Sequence, residues 1–72
     1  MTIGQRIKEI RKKNNKSQIE IAILLNTAQT VYSRYELNKQ ELPIHHLKTL
    51  CEYYNVSPEY ILGYIDEPKP LK

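Results

Sequence analysis

Helix starts and stops are spelled out along this chain at short intervals, and they leave room for little besides short helices. Thr2-x-x-Gln5 and Ser17-x-x-Glu20 are both capping boxes. In each, a hydroxyl and a longer polar side chain three residues on reciprocally satisfy two backbone N–H groups that the first turn leaves without partners. Ser57-Pro58-Glu59 is a third start, with a serine cap, a proline at the first helical position and an acid near the positive end of the dipole. Asparagines mark the stops. Asn14-Asn15, Asn26, Asn38 and Asn55 fall where helical patterns run out, and asparagine tolerates the left-handed backbone that closes a helix.

The apolar residues between these marks recur at helical spacing. Ile3, Ile7 and Ile10 form one stripe and predict a first helix over about residues 3–14. Residues 19–25, IEIAILL, are β-branched and partly alternating, as in a strand. The capping box in front of them, and the lack of any other strand candidate to pair with, decide for helix. Thr27 is placed to cap a third helix, from about Ala28 to Glu36, with Val31, Tyr32 and Tyr35 on its apolar side. A loop over residues 37–42 follows. After Pro43, the stripe Ile44, Leu47, Leu50, Cys51, Tyr54 predicts a fourth helix over about 44–54. A fifth should run from Ser57 to about Ile65, and two prolines stop the remaining DEPKPLK from continuing it. The expectation is an all-α, five-helix domain over residues 1–66, with 67–72 a flexible tail.

Seventy-two residues leave space for one small core. The single cysteine excludes an intrachain disulfide framework and a cysteine-based zinc site. No apolar run approaches the roughly 18 residues that span a bilayer, and the N-terminus lacks the pattern of a secretory signal; the expected compartment is the cytoplasm. The net charge of +3 is unevenly placed. Residues 1–16 hold six basic side chains against one acid, for +5; residues 17–40 balance; residues 41–72 hold three basic and five acidic, for −2. Such polarity suits a polyanion approached from one side, and equally describes a solvated lysine-rich helix.

Two short helices joined by a tight turn make a helix-turn-helix candidate, and residues 17–36, SQIEIAILLN-TAQTVYSRYE, fit it. Ala22 is small where the second helix must cross closely. Asn26 can take the left-handed turn. Ile21, Leu25, Tyr32 and Tyr35 face a core. Gln29, Thr30, Ser33 and Arg34 are the residue types that read base edges in a major groove.

With these residues, the chain resembles the lambda-repressor-like helix-turn-helix domains, the Cro/C1 or XRE type of bacterial and phage regulators. The matching pieces are IGQRIKEIRKK, SQIEIAILLN, YSRYE, ELP and EYYNVSPEYILG, in order and at the right spacing over residues 2–63. The resemblance implies sequence-specific binding of a double-stranded DNA operator by a transcriptional regulator, a repressor above all. It implies that Gln18 binds a phosphate and braces the recognition helix. Ala28, Gln29, Thr30 and Ser33 would face the groove with Arg34 beside them, and Lys39, with the backbone near Asn38, would grip phosphate. It further implies a buried ion pair between Arg11 and Glu36. Asn26 and Asn38 stand where the family usually has glycine, and Ile23 and Leu24 where it has polar surface.

Other chemistries find less support in the residues. His45 and His46 are adjacent and so diverge on a helix, unlike the i, i+4 pairs that bind metal. Cys51 lies on a core stripe with no base beside it. Neither a metal site, a cofactor nor an enzyme is expected. Tyr32, Tyr35, Tyr54 and Tyr60 fall on core stripes, which favours packing over base stacking. A single recognition helix reads few base pairs, so a homodimer on a palindromic operator is expected, with Ile61, Tyr64 and Ile65 as its apolar strip and Tyr60 and Leu62 serving the core. The rival reading is a protein-interaction module, such as an antitoxin or a partner of another regulator, using Ile23 and Leu24.

Overall fold

A computed structural model describes residues 1–72 and contains five helices and no strand: α1 (Ile3–Lys13), α2 (Gln18–Leu24), α3 (Gln29–Glu36), α4 (Ile44–Tyr54) and α5 (Pro58–Leu62). Both capping boxes are formed. Gln5 N–H donates to Thr2 Oγ1 at 3.1 Å while Thr2 N–H donates to Gln5 Oε1 at 2.9 Å, and Ser17 and Glu20 repeat the arrangement. The Ser57 hydroxyl caps α5 ahead of Pro58. IEIAILL is helical, as its cap requires.

The five helices end in one way. A single left-handed residue follows each, at Asn15, Asn26, Asn38, Asn55 and Gly63. The N–H of the next residue then reaches back five positions: Lys16 to Arg11, Thr27 to Ala22, Lys39 to Arg34, Val56 to Cys51 and Tyr64 to Glu59, all at 2.9–3.1 Å. This closure satisfies carbonyls that would otherwise be orphaned. It makes the corners tight enough for short helices to fold back on one another.

The core gathers Ile7 and Ile10 of α1, Ile21 and Ala22 of α2, Tyr32 and Tyr35 of α3, Leu50 and Cys51 of α4, and Tyr60 and Ile61 of α5, with Leu25 and Val56 from the turns. α3 packs on α1 and α2, and α5 on α1 and α4.

Four expectations are corrected. α3 begins at Gln29, with Ala28 at its cap position and no side chain capping it, so Thr27 does not serve as the cap. α5 stops at Leu62 because Gly63 turns left-handed at φ 88°. Ile61 is fully buried and Leu62 is 37% exposed, the reverse of their expected roles. The cause is that α5 has neighbours on two sides, α1 and α4, and so buries the adjacent residues Tyr60 and Ile61. Ile65, beyond the helix end, rests partly buried against the core, which leaves Tyr64 at 82% exposure. Finally, the tail is docked. Ser57 N–H donates to the Lys69 carbonyl at 2.7 Å, Pro68 lies by Tyr54, Val56 and Tyr60, and Leu71 lies by Leu47, Cys51 and Pro58.

Candidate nucleic-acid interface

The helix-turn-helix unit is built from small choices. Ala22 is buried where α2 meets the turn, and its carbonyl accepts the Thr27 N–H at 2.9 Å. Asn26 supplies the corner at φ 54°. α3 then turns Tyr32, Tyr35 and Glu36 inward. Ala28, Gln29, Thr30 and Arg34 are left exposed, with Ser33 half-buried. Gln18, Gln29, Thr30, Ser33, Arg34 and Lys39 line one shallow depression together with Leu37. Ala28 lies at the start of α3, outside the lining of that depression.

Beneath this surface runs a chain of polar contacts. Gln29 Nε2 approaches Gln18 Oε1 at 3.5 Å, and Gln18 Nε2 donates to Glu36 Oε1 at 3.0 Å. Glu36 in turn takes two hydrogen bonds from Arg11, from Nε at 2.6 Å and Nη2 at 3.1 Å, while Arg11 Nη1 donates to the Lys16 carbonyl at 2.9 Å. Arg11 and Glu36 are both buried. Burial alone would raise the Glu36 carboxyl, but the hydrogen bonds from Arg11 and Gln18 outweigh it and hold the group below its usual range. The hydrogen bond to Glu36 raises Arg11 against the opposing effect of burial. Burial, reinforced by the neighbouring Glu36, pushes the Tyr32 hydroxyl well above its ordinary value. The outward-facing Gln29 is therefore connected through Gln18 to a fixed ion pair in the core.

Two functional placements escaped the sequence reading. Gly4 lies in the first turn of α1, where a Cβ would lie 2.6 Å from the Tyr35 carbonyl oxygen and 2.7 Å from Asn38 Oδ1, and would collide with the Glu36 carbonyl. Glycine there lets α1 press directly on the end of α3. The available signal was the glycine itself, since glycine inside a helix costs about 1 kcal/mol against alanine and so asks for a packing reason. The second is Arg6, which is only 3% exposed, with its guanidinium 4.0 Å from the centre of the Tyr60 ring. Arg6 and Arg11 are thus turned inward, and the basic N-terminal segment offers a polyanion only its lysines: Lys8, Lys12 and Lys13 exposed, Lys16 half-buried.

The remaining candidates resolve as packing. His46 is buried against the Tyr35 ring, 5.9 Å between centroids, and burial lowers its pKa. Cys51 is buried and burial raises its thiol. Leu24 leans on the core, so the exposed apolar pair of α2 is Ile19 and Ile23, four residues apart. No helix is long and apolar enough to cross a membrane.

A family model described as a helix-turn-helix domain matches residues 4–67. The chain is 33% identical over 66 residues to an uncharacterized HTH-type transcriptional regulator, YobD, of Bacillus subtilis, covering 92% of this chain and 59% of that protein. It is 38% identical over 63 residues to the HTH-type transcriptional regulator ImmR of the same organism, covering 88% and 50%. It is 31% identical over 61 residues to the antitoxin PezA of Streptococcus pneumoniae, covering 85% and 39%. The chain thus spans about half the length of the curated relatives it matches. No solved structure matches it significantly.

Proposed function

The chain belongs to the helix-turn-helix domain family, and from that premise we propose that it binds duplex DNA in a sequence-specific manner and regulates transcription, as a repressor that occludes a promoter. The observation that carries this reading is the convergence of Gln18, Gln29, Thr30, Ser33, Arg34 and Lys39 on one exposed depression, with Ala28 at the leading end of the same helix. Phosphate contacts from Lys39 and Gln18 set register and give salt-dependent affinity. Gln29 and Arg34 choose the sequence through hydrogen bonds to base edges, with Thr30 and Ser33 beside them. The ion pair Arg11–Glu36 holds α3 at a fixed angle while this happens. Selection of bound sequences from a random duplex pool tests the proposal. Enrichment of a defined site supports it, and recovery of unselected sequence sinks it.

A homodimer on a palindromic site would double the contacts and place two recognition helices roughly 34–36 Å apart. With Ile61 inside the core, the surface for that contact reduces to Tyr64, Leu62 and the exposed part of Ile65. So small a patch suits association completed on DNA. Sedimentation with and without the selected duplex reads it: two chains per duplex, lost in Tyr64→Lys, is the expected result.

A second reading draws on a different surface. Ile19 and Ile23 form an exposed apolar pair on α2, Ile23 at 73% exposure, and one relative is named an antitoxin. A protein partner docking there would be lost in Ile23→Lys, with DNA selection unchanged.

A further inference from the structure

Asn38 occupies the left-handed position after α3, at φ 59°. Its backbone accounts for that placement; its side chain does something the turn does not require. Asn38 Oδ1 accepts the Gly4 N–H at 3.0 Å, and Asn38 Nδ2 donates to Thr2 Oγ1 at 2.8 Å. Gly4 is the second residue of α1, and its N–H is one of the four that a helix leaves without an internal partner. Thr2 Oγ1 already accepts the Gln5 N–H. The first turn of α1 is therefore capped from two sides, locally by Thr2 and over 34 positions of sequence by Asn38. The absent Cβ of Gly4 is what allows the approach, since it would lie 2.7 Å from Asn38 Oδ1. Asn15 and Asn26 hold the same backbone conformation without any such side-chain bond.

The residue after Asn38 is Lys39, whose N–H donates to the Arg34 carbonyl at 2.9 Å and whose side chain borders the depression of Gln29 and Arg34. The closing bonds of the turn tie this loop only to its own helix. The two Asn38 bonds tie it to another element. We propose that Asn38 is a positioning residue for the phosphate grip of Lys39: by clamping the loop after α3 to the N-terminus of α1, it fixes where Lys39 stands relative to the base-reading side chains. The inference rests on the DNA-binding reading above.

A double-mutant cycle on a duplex selected by the unmodified protein tests it, with Asn38→Gly, Lys39→Ala and both together. Asn38→Gly keeps the left-handed turn and deletes both bonds. Lys39→Ala is expected to reduce the slope of log affinity against log salt by about 0.9, as for one lost phosphate contact. Asn38→Gly is expected to weaken binding several-fold and reduce the slope in the same direction. The double variant should then bind no worse than Lys39→Ala alone, because the two act through one contact. Hydrogen exchange at the Gly4 amide should speed up in Asn38→Gly. Thr2→Val leaves the loop untouched but removes one of the two clamp bonds, together with the local cap of α1, and should lower the slope in part, while Thr2→Ser, which keeps the hydroxyl, should leave it unaltered. Fold-losses that multiply in the double variant, or an Asn38→Gly protein with an unaltered slope, overturn the positioning role while leaving the DNA reading in place. A Lys39→Ala protein with an unaltered slope removes the phosphate grip itself, and this inference with it, without any change at Asn38.

Discussion

On the inner face of α3, Tyr32 and Tyr35 are packed on all sides and Glu36 is held by three hydrogen bonds from Arg11 and Gln18. On the outer face of the same eight-residue helix, Thr30 and Arg34 make no side-chain hydrogen bond, and Gln29 makes one long one to Gln18. The inner face is over-determined, because Tyr32 and Tyr35 have no room to move and Glu36 would be left buried and unpaired if Arg11 moved. The outer face is under-determined, and its hydrogen-bonding capacity is available to a ligand. A recognition helix needs both: rigid placement from within, free donors and acceptors without. The two faces should accordingly fail in different ways.

The largest effect is expected at the ion pair. Removing one partner of a buried pair costs roughly 3–5 kcal/mol, a large share of the 5–15 kcal/mol typical of whole domains. Arg11→Ala and Glu36→Ala should both lower the thermal midpoint steeply, measured by circular dichroism. A Glu36→Ala protein that melts like the parent would break the distinction between the faces. The pair also has a pH signature. The folded pKa of Glu36 lies below its ordinary 4.5, so the pair's contribution is fully present above that value and is lost as pH falls toward the folded pKa. His46 is likewise depressed below its ordinary 6.5 by burial. Its neutral form is the one the fold favours, and stability should begin to decline already below that pH. Denaturation at stepped pH should show two acid windows, the upper one absent in His46→Gln and the lower one absent in Glu36→Gln.

Next comes Gly4→Ala. The added methyl meets backbone carbonyls of Tyr35 and Glu36, which cannot swing away as a flexible side chain could. Overpacking of this kind costs about 1–3 kcal/mol. Because it pushes α1 off the end of α3, it should also weaken DNA binding in parallel with stability. On the outer face, Gln29→Ala and Arg34→Ala should each lose about 1–3 kcal/mol of discrimination between selected and random duplex, with the melting curve unmoved. Discrimination unchanged in both variants would place the reading surface elsewhere.

How much of this could be read from the chain follows the same division. The helix ends were legible because capping boxes and left-handed asparagines act locally: Thr2, Ser17, Ser57 and the asparagines at 15, 26, 38 and 55 need only their near neighbours. The inward stripes were legible from spacing. What resisted was set by the number of neighbours an element has. Ile61 and Leu62 exchange roles because α5 lies against two helices, and periodicity gives a stripe without its width. Arg6 counts as surface charge in any composition argument until Tyr60 is found beside it. The docking of the tail on Ser57 depends on a backbone carbonyl, which has no sequence signature. Of the site, the outward residues of α3 could be named from residue type and spacing, while the bracing through Gln18 and Arg11 came only through resemblance.

The smallest expected effect separates two jobs that one residue type performs. Asn15, Asn26 and Asn38 share a left-handed backbone at φ 54–59°, where glycine suffers no steric penalty and asparagine a modest one. Glycine also widens the unfolded ensemble, which works against it by about 0.5–1 kcal/mol. At Asn15 and Asn26 the side chain makes no hydrogen bond, so the two terms nearly cancel and Asn→Gly should change stability by less than about 0.5 kcal/mol. At Asn38 the same substitution also deletes the bonds to Gly4 and Thr2 and leaves an α1 N–H to find water. The net cost of a hydrogen bond of this kind is about 0.5–1.5 kcal/mol, so Asn38→Gly should be the one member of the set that is plainly destabilised. Chemical denaturation of the three variants side by side is the measurement. Three equal midpoints would mean that the Asn38 side chain adds nothing to its backbone, and the loop carrying Lys39 would then belong to the free outer face and not to the braced interior.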